Sequence, residues 1–305
     1  MTEPIGQHIV PRVYLKNFST SIKKKDYFVD VFYKKQKDIN IPRVNIKNIC
    51  KINEFYTFDH SPSEIDKRWL EKYYANSIES HYNSIYNLLT DEKTEKITPE
   101  IKNKILRHII SQELRTPKIA QALNSFTDRT IDYVFNSHEQ LGTEKKLYTE
   151  DGKLAYDWSE KSIDEAKTKN RNENRQISNI ECISRLKGLV ELKFSYHIMV
   201  VKYNSPIGLI SSDRPVYISE PLYSPSCNIK LPIDKYHMIN LYPFIEDTDP
   251  NIILRIEHGK VASEQAVRIL NISQLERAEH FVYGEKNDIL KTIQDLDFLE
   301  KKQKQ

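Results

Sequence analysis

The sequence predicts an α+β fold: central helices with a small N-terminal sheet, and a C-terminal antiparallel or mixed sheet closed by C-terminal helices. Three observations carry that prediction. Short runs rich in aromatic and β-branched residues occupy the N-terminal part. Apolar residues at helical spacing dominate the middle. From Phe194 short apolar runs return, cut by Pro, Gly, Asn and Asp, before two last helical stretches. Strands, helices, strands and helices in series give the α+β order.

The chain opens on Gln7-His8-Ile9-Val10-Pro11-Arg12-Val13-Tyr14-Leu15-Lys16-Asn17-Phe18. Pro11 fixes φ and suits a first helical position, so a helix is expected from there. Tyr14, Leu15 and Phe18 share one side of it and should anchor the segment in a core. His8 is then left just outside the helix N-terminus, where free backbone N–H groups favour an anion. Tyr27 to Tyr33 alternates and reads as a strand, with Ile39 to Val44 and Phe55 to Phe58 as short partners. Ser61-Pro62-Ser63-Glu64 is a capping sequence, and the stripe Ile65, Trp69, Tyr73, Ile78, Tyr82, Ile85 and Leu89 predicts one helix through Thr90. Thr98-Pro99-Glu100 opens a second, burying Ile101, Ile105 and Ile109 and ending at Thr116-Pro117. Beside that face His108, Gln112 and Arg115 form a polar stripe.

A third helix is expected from Pro117 towards Asn136, then a small hairpin turning at Asp151-Gly152, then a long helix over Ser159 to Leu192. The strands expected next are Phe194 to Tyr203, Ile207 to Ile210, Val216 to Ile218, Ile229 to Leu231, Met238 to Leu241 and Ile252 to Ile256. Helices near Ser263 to Phe281 and Asn287 to Glu300 close the fold. One domain over 1–305 is the reading, with a soft division into 1–140 and 141–305.

Composition narrows the class. The 46 basic and 43 acidic residues leave a net charge of +3, so no global field draws the chain to nucleic acid or membrane. Any such binding must come from a local patch. Seven glycines in 305 residues disfavour a Gly-rich nucleotide loop. Cys50, Cys182 and Cys227 form no C-x-x-C pair, which points away from a disulfide framework and towards a reducing cytoplasm. Met1 to Gly6 lacks a signal-peptide core, and the longest apolar runs have strand length, so no membrane is expected. The nine histidines contain no H-x-x-x-H or H-E-x-x-H, and neither metal nor cofactor is expected. Glu191-Leu192-Lys193 is a chance-level nuclease pattern on a helix end.

Three segments can carry chemistry: His8-x-x-Pro11 with Arg12 and Tyr14, Ser111 to Pro117, and Ile210-Ser211-Ser212-Asp213-Arg214-Pro215-Val216. An Asp beside a His fixes its tautomer and raises its basicity, which suits general acid–base work. An Arg with a Gln can hold two oxygens of a phosphate. Convergence of His8, Asp213, Gln112 and Arg115 would make a metal-free site for phosphoryl or ribose chemistry. Tyr14 would stack on a base or pack, and Ser212 is a conceivable nucleophile without the Gly-x-Ser-x-Gly elbow. Arg12 and Arg214 stand beside these segments as substrate-binding cations. Lys23, Lys24 and Lys25, next to Tyr27 and Phe28, could grip single-stranded nucleic acid or merely guard a strand edge. A structural alternative stays open: Asp213 pairs with Arg115 as a buried ion pair, and His8 donates to a backbone carbonyl.

The segments QHIVPRVYLKNFS, SQELRTP, LISSDRPV and NISQLERAEHFVYG, with KNICKINEFYTF between the first two, resemble the bacterial and fungal domain-of-unknown-function family 4238. The resemblance runs over nearly the whole chain in the expected order. It implies a one-family protein of mixed helix and sheet, and it transfers by motif His8, Pro11, Tyr14, Leu15, Phe18, Gln112, Arg115, Pro117, Ser212, Asp213 and Pro215. Members of that family often stand as isolated accessory or defence-associated genes, and no activity comes with the match. The expectation that follows is a bacterial toxin-like or phage-defence effector cleaving RNA or another nucleotide without a metal, with His8 as general acid/base. Its alternative is a non-catalytic recognition protein that binds a phage protein or an anionic ligand at the same site.

Overall fold

In the computed structural model, residues 6–58, 66–142, 146–157, 163–243 and 250–303 are described. The Ser61 to Ile65 capping sequence lies outside them. The chain gathers into two units, one of Met1–Thr116 with Ser184–Gln305, the other of Pro117–Ile183.

The first unit begins with β1 (Gly6–His8), α1 (Arg12–Leu15), β2 (Ser21–Lys23), β3 (Asp26–Tyr33), β4 (Arg43–Asn45) and β5 (Lys51–Asn53). The helix at Pro11 is a single turn, continued by a 3-10 turn over Lys16–Phe18. So short a helix has little dipole, and the anion-favouring terminus expected beside His8 is absent. The anchoring face forms as the spacing predicted: Tyr14 and Leu15 are fully buried and Phe18 nearly so. Each such side chain contributes roughly 1.5–3 kcal/mol by leaving water. Where a strand was expected at Phe55 to Phe58, β5 lies just before it, and Phe55, Tyr56 and Phe58 are buried outside any strand.

The long helix expected through Thr90 is two, α2 (Trp69–Ser77) and α3 (Tyr82–Thr90). Ile78, buried at φ −123° and ψ −63°, leaves helical geometry, and a 3-10 turn over Glu79–His81 makes the join. α4 (Pro99–Leu114) starts where its Thr98 cap accepts from the Ile101 N–H at 3.2 Å. Its C-terminal residues from His108 to Leu114 are all buried, polar ones included.

The second unit holds α5 (Lys118–Leu141), the antiparallel hairpin of β6 (Lys146–Tyr148) and β7 (Leu154–Asp157), and most of α6 (Ile163–Leu192). Ile131, Phe135 and Ala166 form its apolar centre. Gly152 turns the hairpin at φ +76°, a conformation glycine adopts without strain.

The rest of the first unit is β8 (His197–Tyr203), β9 (Ser211–Ser212), β10 (Tyr217–Ile218), β11 (Ile229–Pro232), β12 (His237–Tyr242), β13 (Ile256–Val261), α7 (Glu264–Arg277), β14 (Phe281–Gly284) and α8 (Lys286–Gln303). The C-terminal sheet is mixed, in the order β10-β11-β12-β8-β13, with only β13 and β8 parallel. The N-terminal sheet recruits late strands, in the order β2-β3-β14-β9, with β4 also on β3. Hence Phe281 lies in a strand, not in a helix. Ile207 to Ile210 is buried loop leading into β9, and residues 250–254 form a 3-10 turn ahead of β13. The fold is α+β.

Candidate anion-binding cleft

β1 lies antiparallel to β5 with His8 opposite Lys51, and the Ile9 N–H continues the pairing to the Cys50 carbonyl. That pairing sets an imidazole and an ammonium stem side by side. The Gln7 side chain, pointing the other way, is buried on Thr57, Glu71 and the Tyr56 N–H. Arg115, the C-cap of α4, arrives at the same place and is almost fully buried. Its Nε donates to the Tyr56 hydroxyl at 3.0 Å, Nη1 to Glu79 Oε1 at 2.7 Å and Nη2 to the His8 carbonyl at 2.8 Å. The guanidinium carbon sits 4.3 Å from the Tyr74 ring centre. Burial pulls against the charge on Arg115, but Tyr56, Glu79 and Tyr74 together hold its pKa above the ordinary value.

Gly6, His8, Arg12, Lys47, Lys51, Tyr56, Glu71, Ala75, Glu79 and Arg115 line a cleft of about 480 Å³. His8 Nε2 lies 3.2 Å from the Ile46 carbonyl. A carbonyl only accepts, so Nε2 carries the proton and Nδ1 keeps a lone pair. Burial, assisted by Arg12 and Arg115, pulls the His8 pKa down to about 4, outweighing the Ile46 carbonyl and Glu79. At neutral pH His8 is a neutral ring that accepts a hydrogen bond and is a weak base. Glu79 neutralises Arg115, while Glu71 takes a hydrogen bond from Gln7. Arg12 and Lys51 have no ion-pair partner among the described residues. Lys47 pairs with Asp26 at 2.5 Å, at the foot of the hairpin that turns through Lys24 and Lys25. Lys23, Lys24 and Lys25 are exposed on that hairpin and do not line the cleft; the Asp26–Lys47 pair is what joins the hairpin to the lining.

The other expected site residues lie elsewhere. Asp213 is buried, and its carboxylate accepts from the Glu279 and His280 N–H groups at 3.0 and 2.8 Å. It therefore orients neither His8 nor Arg115; both roles expected for it give way to capping the turn before β14. Burial raises its pKa against those two hydrogen bonds. Ser212 Oγ accepts from the Arg214 N–H, and Ser212 is fully buried. Tyr14 places its hydroxyl 2.8 Å from Ser211 Oγ and 2.5 Å from the Pro232 carbonyl, and burial pushes its pKa well up, so it packs and does not stack on a ligand. Gln112 lines a void of about 20 Å³ with His108, apart from the cleft, and neither end of its amide has a partner among the described residues. Arg214 does not line the cleft.

Of the expected set, His8, Arg12 and Arg115 come together, while Lys23 to Lys25 are outside the lining. Glu71, Glu79, Tyr56, Lys47 and Lys51 complete the lining, and Tyr74 backs the Arg115 guanidinium. Lys51 and Tyr56 lie in the KNICKINEFYTF segment, whose regular placement after the opening motif was the only sign of them. Nothing in the sequence marked Glu79.

Among the described residues no group of His, Cys, Asp and Glu could hold a metal ion, and no helix is long and apolar enough to cross a membrane. No curated protein and no solved structure matches the chain. The model of one family, described as protein of unknown function (DUF4238), matches residues 6–288. On that match, in agreement with the order of its motifs, the chain belongs to the DUF4238 family.

Proposed function

We propose that this protein recognises a phosphate-bearing ligand, RNA or a nucleotide, in the cleft of His8, Arg12, Lys47 and Lys51. The observation that carries the reading is the presence of two cations without an ion-pair partner among the described residues, Arg12 and Lys51, beside a neutral imidazole with a free acceptor nitrogen. The carboxylates of Glu71, Glu79 and Asp26 offset only part of the positive charge that Arg12, Lys47, Lys51 and Arg115 bring there. Arg115 acts from beneath. Its three nitrogens are all engaged by Tyr56, Glu79 and the His8 carbonyl, so it shapes the floor and does not fork a phosphate. Recognition without turnover fits better than catalysis, because a general base works best with a pKa near the working pH. His8 lies well below that, and Asp213 is not there to raise it.

Cleavage of RNA by a toxin-like or phage-defence effector is the second reading. It is favoured by the lone pair of His8 Nδ1 in a cationic cleft and by the exposed lysine turn of the hairpin whose Asp26 pairs with Lys47 of the lining. In either reading the three cysteines, all free and buried, suit a reducing cytoplasm. The test mixes the purified protein with an end-labelled oligoribonucleotide and follows both anisotropy and fragment length. Saturable binding with intact RNA, weakened about tenfold or more in Arg12→Ala/Lys51→Ala, is the expected result. Shortened products that vanish in His8→Ala at unchanged Tm would transfer the assignment to cleavage. Neither binding nor cleavage would remove both readings.

A further inference from the structure

Away from the cleft, α7 and the chain after β9 bring two guanidinium groups together. Gln274 Nε2 donates to the Pro215 carbonyl at 3.2 Å, and Arg277 Nη2 to the Val216 carbonyl at 2.7 Å, which fixes that loop on the helix. Arg277 also lies over the Tyr217 ring, 5.0 Å from its centre. Arg214 comes from the same loop. Its Nε and that of Arg277 are both buried and have no hydrogen-bond partner among the described residues. Burial is the main cause that lowers the Arg277 pKa; the Arg214 charge lowers it further, while the nearby Glu113 carboxylate opposes both.

Orphaned donors on partly buried cations are costly, and a ligand that accepts from both would recover that cost. From these contacts we infer a second oxyanion site at Arg214 and Arg277, separate from the cleft, that takes a phosphate group. Arginine suits it because its fork meets two oxygens at once, and a phosphate brings the negative charge that two neighbouring guanidinium groups favour. Tyr217 gives Arg277 a flat backing that keeps the fork in place.

The test is thermal unfolding of Arg12→Ala/Lys51→Ala protein, in which the cleft is disabled, with inorganic phosphate, sodium acetate or sodium chloride at equal ionic strength. Phosphate is expected to raise Tm by about 2–4 °C over chloride, as a ligand of the folded state does. Adding Arg214→Gln should abolish the rise. Arg214 makes no side-chain hydrogen bond among the described residues, so this change leaves the fold intact; Arg277→Gln, which also loses the Val216 contact, is the secondary probe. No phosphate-specific rise overturns the site, as does a rise that persists in Arg214→Gln. An equal rise with acetate overturns the assignment to phosphate. None of these outcomes bears on RNA binding by the wild-type cleft, so the two readings fail separately.

Discussion

His8 donates its ring proton to the Ile46 carbonyl and sits where a second proton is unwelcome. The unfolded chain takes up that proton near the ordinary histidine value of 6.5, the folded one only near 4. Between those values the unfolded state binds more protons, so the His8 contribution is fully present above about 6.5 and is lost as pH falls towards 4. His108, pulled by burial to about 3, adds in the same direction. Asp288 opposes them: burial raises it from 3.8 to about 6, so its contribution is present in acid and lost as pH rises through 6. Replacing His8 by Gln should therefore flatten stability against pH between about 6.5 and 4, by up to about 1.4 kcal/mol per pH unit. Urea denaturation across that window measures it, and an unchanged slope would show that His8 is not the group being titrated. The imidazole and its neighbouring proline were legible in the sequence. The carbonyl that holds the ring was not, since any backbone could have supplied it.

Elements tie together here through side chains that cap turns, and Asp213 is the clearest case. Both its oxygens accept main-chain N–H groups of residues that lie 66 and 67 positions further on. Asp213→Ala leaves both donors without their partner, at roughly 1–3 kcal/mol for each. A drop of a few kcal/mol in urea stability is expected, smaller in Asp213→Asn, which keeps one acceptor. RNA affinity of the folded variant should match wild type, because the cleft does not contain Asp213; a selective loss of binding at full stability would restore it to the site. The sequence marked this residue correctly as special and gave it the wrong partner, because a carboxylate at a strand end serves a histidine, an arginine or a turn equally well. The same limit explains the strands. The alternating run at Tyr27 to Tyr33 announced β3 and the short apolar run at Met238 to Leu241 announced β12, whereas β9 and β14 owe their conformation to pairing with each other and, for β14, with β3. Two-residue β9 has no period to detect.

Across the whole molecule the net charge of +3 is too small to hold nucleic acid, so any affinity must reside in the local set of Arg12, Lys51 and the turn of Lys23 to Lys25. That restriction has a measurable signature. Each phosphate neutralised on a single strand releases counterions and adds about 0.7 to the slope of log affinity against log salt. Two cleft cations and one contact from the lysine turn give a slope near −2. Raising salt from 50 to 200 mM should then weaken oligoribonucleotide binding roughly 20-fold. Replacing Lys23, Lys24 and Lys25 by Gln should reduce the slope by about a third, and Arg12→Ala/Lys51→Ala by about two thirds. A slope unchanged in both variants would place the contacts elsewhere on the surface, while affinity indifferent to salt would mean that phosphate is not what the cleft reads.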